Sequence, residues 1–289
     1  MLEPFVPLDW LVAHRDDAGL VVADVRWSLA GPPGREGFEI GHVPGAVFVD
    51  LDTQLAGPAS TEAGRHPLPA PADFAAAMSS LGIGDGSVVV AYDDSGGSSA
   101  SRLVWMLRVL GRQAALLDGG LRAWTERFGV QALETGAVEA TPSGFTARPW
   151  PADRLVDADR TQQLAASGAA VVLDARDHGR FTGERPAPVD ARAGHVPGAL
   201  SAPWQANLGD DGLVRSADEL RQYYSALGID ASASDEPAVL YCGSGVTASL
   251  DLLALERAGI DDARLYAGSW SQWAPDPRRP VETGDPEPR

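Results

Sequence analysis

The chain has 289 residues, enough for one large or two medium domains that each bury a core. Asp and Glu (40) outnumber Lys and Arg (23), and the formal net charge of -17 argues against phosphate backbones and anionic lipid as partners. A single cysteine excludes an intrachain disulfide framework and a cysteine-based metal cluster, and a disulfide-free thiol protein fits a reducing compartment. The opening MLEPFVPLDW lacks the basic and apolar segments of a signal peptide, and no run approaches the ~20 apolar residues that cross a bilayer. These features lead us to expect a cytoplasmic monomer with neither nucleic-acid nor membrane partners.

Taken in chain order, the first apolar run is Val21-Val22-Ala23-Asp24-Val25-Arg26, a buried strand by composition, followed by Gly41-His42-Val43-Pro44-Gly45-Ala46. A helical pattern over 73–81 stops at Gly82. Next comes the strand Val88-Val89-Val90-Ala91-Tyr92, a loop Asp93-Asp94-Ser95-Gly96-Gly97-Ser98, and a helix over 98–110 closed by Gly111. Leu117-Asp118-Gly119-Gly120 leads to Trp124, after which 131–152, with Pro142, Pro149 and Pro151, reads as a linker. The same order then recurs. Val171-Val172-Leu173-Asp174-Ala175-Arg176 precedes Gly194-His195-Val196-Pro197-Gly198-Ala199; helices over 217–227 and 247–258 stop at Gly228 and Gly259. Between them Ala238-Val239-Leu240-Tyr241 runs into Cys242, and Tyr266-Ala267-Gly268-Ser269 leads to Trp270 and Trp273. From 276 to 289 the chain is a Pro-rich acidic tail, expected to strap or fray.

Blocks repeated in one order at a nearly constant offset mean a duplicated domain. Strands alternating with helices predict an α/β fold, each copy a mainly parallel sheet flanked by helices. The copies span 1–130 and 153–275.

The chemistry is expected beyond the carboxyl ends of the strands, where the two copies differ. In the second copy, Cys242-Gly243-Ser244-Gly245-Val246-Thr247-Ala248 joins a strand to a helix. Its glycines allow tight curvature that turns successive N–H groups inward, and the helix start adds a positive dipole end. A thiol there is expected to have a lowered pKa and to act as a nucleophile. The equivalent loop of the first copy begins with Asp93 and Asp94 and has no sulfur.

These residues carry a resemblance. The loop from Cys242 to Ala248 resembles the active-site loop of mercaptopyruvate sulfurtransferases, and the paired Gly-His-Val-Pro-Gly-Ala blocks resemble the tandem rhodanese architecture. The resemblance implies a persulfide-carrying sulfurtransferase whose N-terminal domain lost its cysteine, acting on a small anionic donor (3-mercaptopyruvate or thiosulfate) and a thiol or cyanide acceptor. It implies Cys242 as nucleophile and Gly243, Ser244, Gly245, Val246 and Thr247 as the cradle, with no metal and no organic cofactor. Arg180 falls where the family keeps a substrate-binding arginine, suited to clamping a carboxylate or thiosulfonate. Thiosulfate-type members carry basic residues directly after the cysteine, whereas Gly243 and Ser244 are uncharged, which favours mercaptopyruvate. A second family arginine is Val189 here, with Arg185 or Arg192 as replacements. Ser244 is also expected to act with a histidine and an acid; His42 matches the histidine, and Glu36 or Glu39 is available as the acid.

Against these stand plainer readings. His42 and His195 occur in both copies, which points to a structural turn, and Asp24/Arg26 and Asp174/Arg176 read as internal ion pairs. The tryptophans 124, 270 and 273 read as core, and Trp204 as a cleft residue. Arg180 has no arginine counterpart in the first copy, which favours function. A thiolate phosphatase would need an arginine where Ala248 stands. A non-catalytic rhodanese-fold module that binds sulfur or anions is the alternative from another class, and an absence of any sulfur adduct on Cys242 would favour it.

Overall fold

A computed structural model describes residues 2–230 and 236–285. The chain divides into two compact units. Unit 1 gathers the chain up to Gly57, Leu68–Trp150 and Asp210–Val214; unit 2 gathers Pro58–Pro67, Pro151–Gly209 and the chain from Arg215 onward.

Unit 1 holds strands β1 (Phe5–Val6), β2 (Leu20–Asp24), β3 (Val47–Phe48), β4 (Val88–Tyr92) and β5 (Gln113–Leu117) in the order β1-β5-β4-β2-β3, every neighbouring pair parallel. Around them lie α1 (Leu8–His14), α2 (Gly34–Ile40), α3 (Leu51–Gln54), α4 (Pro71–Ser80), α5 (Ala100–Val109) and α6 (Gly120–Phe128). Unit 2 holds β6 (Val172–Asp174), β7 (Leu200–Ser201), β8 (Val239–Tyr241) and β9 (Arg264–Leu265) in the order β7-β6-β8-β9, again all parallel. Its helices are α7 (Ala158–Ser167), α8 (His178–Thr182), α9 (Ala217–Ala226), α10 (Ala248–Arg257) and α11 (Ser269–Trp273).

The central strands are short runs of Val, Leu and Ala because helices cover both faces. Val90, Ala91, Tyr92, Leu240 and Tyr241 are fully buried, and each large apolar side chain so placed stabilises the fold by about 1.5–3 kcal/mol. Gly82, Gly111, Gly228 and Gly259, which follow α4, α5, α9 and α10, all take positive φ, as helix-terminating residues do.

The repeated motifs turn out to be one brace built twice. Arg26 binds Asp24 side-on and donates through Nη2 to the Gly41 carbonyl at 2.8 Å. Arg176 repeats this with Asp174 and the Gly194 carbonyl at 2.7 Å. His42 Nδ1 lies 2.7 Å from the Phe38 carbonyl with its ring stacked on Phe38, and His195 lies 2.9 Å from the Phe181 carbonyl and stacks on Phe181. Each histidine pairs antiparallel with a glutamate from the segment following the last helix of its unit, Glu134 or Glu282. Through Glu134 and Glu282 those segments are strapped back onto the histidine turns. In unit 2 the strap is also held by Arg192, which donates to the carbonyls of Trp273, Ala274, Asp276 and Arg279.

Candidate active site

Strand β8 ends at Tyr241, and the next six residues, 242–247, curl into the start of α10. The curl brings the Gly245 N–H to 3.1 Å from Cys242 Sγ, so the loop donates a hydrogen bond to the sulfur. Gly245 has φ +75°, and a Cβ there would come within 2.6 Å of the Ala267 carbonyl oxygen, so only glycine fits. A second turn holds the loop from behind. Trp270 and Ser271 donate their N–H groups to the carbonyls of Cys242 and Gly243 at 3.0 and 2.9 Å. The Ser269 hydroxyl accepts the Cys242 N–H at 3.2 Å and donates to the Tyr266 carbonyl at 2.9 Å. Ser269 is the one non-glycine with positive φ among the described residues (52°), a strained conformation that the first copy gives to Gly120 (54°). Cys242 is 2 % exposed and Ser244 4 %, so only small reagents reach the sulfur. Val246 is buried, and Thr247, half-buried, is the last loop residue before α10.

Ser244 Oγ lies 2.8 Å from Nδ1 of His66, a buried histidine of the segment Pro58–Pro67. The sequence resemblance points instead to His42. That residue belongs to unit 1 and spends Nδ1 on the Phe38 carbonyl, so the histidine on Ser244 is His66. The same segment brings Arg65. A Cβ built on Gly243 would stand 3.2 Å from Arg180 Nη2 and 3.4 Å from Arg65 Nη2, so two guanidiniums flank the loop. Arg180 is held by Asp190 through Nε (2.9 Å) and Nη2 (2.7 Å). Arg185 is exposed and folds over Gly179, while Arg192 is committed to the carbonyls of the strap. Beside the loop, Arg65, Val189, Asp190, Trp270 and Ser271 line a surface cavity of about 280 Å³.

The signal that singled out Arg180, absence from the other copy, applies equally to His66 and Asp190. Their separation from Cys242 in sequence hid them. His66 sits in a segment with no strand or helix pattern, and only folding brings it to Ser244.

The first copy shows what its loop does without sulfur. Asp93, at the place of Cys242, fills the cradle with its own carboxylate. Oδ1 accepts from the N–H groups of Ser95 (2.9 Å) and Gly97 (2.8 Å), and Oδ2 from those of Ser99 and Ala100, both 2.9 Å. In unit 1 the loop is thus an anion cradle closed by a built-in anion, and the equivalent loop of unit 2 turns the Gly245 N–H to the Cys242 sulfur. Burial, with the neighbouring charge of Asp93, pushes the Asp94 carboxyl above its ordinary value. No cluster of three or more His, Cys, Asp or Glu able to hold a metal occurs among the described residues.

The chain as a whole is similar to known proteins. The sequence matches the Rhodanese-like domain family twice, over residues 7–127 and 157–276. It is 43% identical over 279 residues to a Pseudomonas aeruginosa protein named as a probable 3-mercaptopyruvate sulfurtransferase, covering 95% of this chain and 96% of that one. It is 40% identical over 285 residues to SseB of Mycobacterium tuberculosis, named for thiosulfate sulfurtransferase activity, with coverage of 95% and 97%. The crystal structure of SseA from Escherichia coli, a 3-mercaptopyruvate enzyme with the rhodanese fold, superposes with a TM-score of 0.79 at 34% identity, covering 93% of this chain and 100% of that one. This chain belongs to the rhodanese family, as a member with two rhodanese-like domains.

Proposed function

We propose that the protein is a sulfurtransferase that takes sulfane sulfur from 3-mercaptopyruvate onto Cys242 and passes the persulfide sulfur to a thiol or to cyanide. The observation that carries this reading is Cys242 Sγ in a loop that donates the Gly245 N–H to it at 3.1 Å, with Ser244 one residue away from that glycine and paired to His66.

In the first half-reaction the Cys242 thiolate attacks the donor thiol sulfur. The S–S bond forms, the donor C–S bond breaks, and the electron pair leaves as the enolate of pyruvate. The enolate carbon takes up a proton and the former thiol proton departs, so thiolate and mercaptopyruvate become persulfide anion and pyruvate. The loop amides stabilise the sulfur anion before and after transfer. Ser244 with His66 is placed to hand over the proton, a general-acid role that a sulfite leaving group does not require. Arg180, and Arg65 across Gly243, hold the donor carboxylate; Arg65 stands where the absence of an arginine at Val189 would otherwise leave a single guanidinium. In the second half-reaction cyanide or a thiol attacks the outer sulfur and Cys242 leaves as thiolate.

The uncharged Gly243 and Ser244 and the Ser244–His66 pair favour mercaptopyruvate over thiosulfate. Steady-state kinetics with each donor and cyanide as acceptor test this. A higher kcat/KM for mercaptopyruvate is expected, and a preference for thiosulfate would overturn the donor assignment. No described helix is long and apolar enough to cross a bilayer.

A further inference from the structure

We propose that Asp190 is a positioning residue of the donor site, fixing the Arg180 guanidinium by one edge so that its other edge faces the cysteine loop. The inference rests on the reading that Arg180 holds the anionic end of the sulfur donor.

An arginine presents two bidentate edges, the side-on pair Nε/Nη2 and the end-on pair Nη1/Nη2. Asp190 occupies the side-on edge of Arg180, with Oδ2 on Nε at 2.9 Å and Oδ1 on Nη2 at 2.7 Å. The end-on edge points to the loop, since a Cβ on Gly243 would lie 3.2 Å from Nη2 and 3.6 Å from Nη1. Arg180 sits in α8, a helix of five residues, on a side chain with several rotatable bonds. Among the described residues, the two hydrogen bonds from Asp190 hold the heading of that guanidinium.

Asp190 is itself anchored. Its side chain is 4% exposed, Oδ2 accepts from the Ala187 N–H at 3.3 Å, and Arg176 Nη1 lies 3.9 Å away. That Arg176 nitrogen is buried with no hydrogen-bond partner among the described residues, so it acts on the carboxylate by charge. Asp190 thereby links the internal brace Asp174–Arg176 to the arginine at the loop.

The other copy supplies the control. Counting back from the shared Gly-His, Asp190 corresponds to Gly37, and a Cβ on Gly37 would stand 3.4 Å from Arg26 Nη1. The position beside the brace arginine is thus the same in both units. It bears a carboxylate only where there is a cysteine to serve and an arginine to aim.

Two effects of Asp190 on an anionic donor have opposite sign. As a charge it weakens anion binding, so neutralising it alone would lower KM. As an orienter it strengthens binding, so removing one of its two oxygens as acceptors would raise KM. The geometry favours orientation. For Asp190→Asn with 3-mercaptopyruvate we expect KM to rise roughly tenfold, while the single-turnover discharge of preformed persulfide to cyanide keeps its rate. In an Arg180→Gln background, which itself raises KM, the same Asp190→Asn change should add nothing further. An unchanged or lowered KM in Asp190→Asn, with Arg180→Gln still raising it, would overturn this proposal and leave Arg180 in place. An unchanged KM in Arg180→Gln would instead overturn the reading beneath it. Should the amide variant fail to fold, Asp190→Glu keeps the charge, displaces the fork, and is expected to raise KM in the same way.

Discussion

Ser244 and His66 come from opposite halves of the sequence, yet their side chains meet at 2.8 Å. His66→Ala removes the group that polarises the serine hydroxyl, and a positioned proton donor contributes about 10²–10⁴-fold to a proton-dependent step. We therefore expect kcat with mercaptopyruvate to fall at least about a hundredfold, and the rate with thiosulfate far less, because sulfite leaves without a proton. Equal losses with both donors would remove His66 from proton transfer. At this scale the sequence disclosed the residues tied to a local pattern. Cys242 is flagged by strand, glycines and helix start, and Arg180 by its asymmetry between copies. His66, Arg65 and Asp190 reach the loop through contacts made only on folding, and no local periodicity announces them. Ser269 was readable in principle, since the same turn in the first copy uses glycine.

The strand–loop–helix element is one device with two fillings. In unit 2 the loop holds the Cys242 sulfur, and in unit 1 it holds Asp93, whose carboxylate satisfies four backbone donors and the Ser99 hydroxyl. Burying a backbone donor without a partner costs about 1–3 kcal/mol. Asp93→Asn, which replaces one acceptor oxygen with an N–H₂ group facing two of those backbone donors, should destabilise the protein by about twice that single-donor cost, read by urea denaturation. Asp94→Asn, outside the cradle, should not destabilise the protein, and at neutral pH should stabilise it slightly, because it removes a carboxylate that burial and Asp93 disfavour. Comparable effects of the two substitutions would contradict the cradle. The parallel strands and the helices 73–81, 98–110, 217–227 and 247–258 were legible because burial on both faces demands unbroken apolar runs. The edge strands β1, β3, β7 and β9 were not foreseen as such, since each has two residues or lies within a motif read for other reasons, β1 (Phe5–Val6) most plainly.

Across the whole chain, duplication was the most informative signal, because two copies of one fold act as each other's control. Differences between them mark function, and shared features such as the histidine turns mark structure. The second copy also buries Asp251 in α10, bonded to Asn207 at 2.5 Å and to the Tyr224 hydroxyl, with burial pushing its carboxyl well above the ordinary range. The folded protein then keeps a proton that the unfolded chain releases above about pH 4, so stability falls as pH rises through that window until the folded group itself ionises. Asp251→Asn, close in shape and neutral at every pH, should raise the unfolding midpoint at neutral pH. The gain should vanish near pH 4; a gain of equal size at both pH values would show that the carboxyl is not carried as the neutral acid.

The account depends on sulfur being carried covalently by Cys242. Intact-protein mass spectrometry after brief exposure to 3-mercaptopyruvate, followed by peptide mapping, tests it most directly. We predict one added sulfur atom on the peptide containing Cys242, lost on addition of cyanide with release of thiocyanate, and no adduct in Cys242→Ser. Turnover without a cyanide-labile sulfur on Cys242, or sulfur transfer persisting in Cys242→Ser, would contradict it.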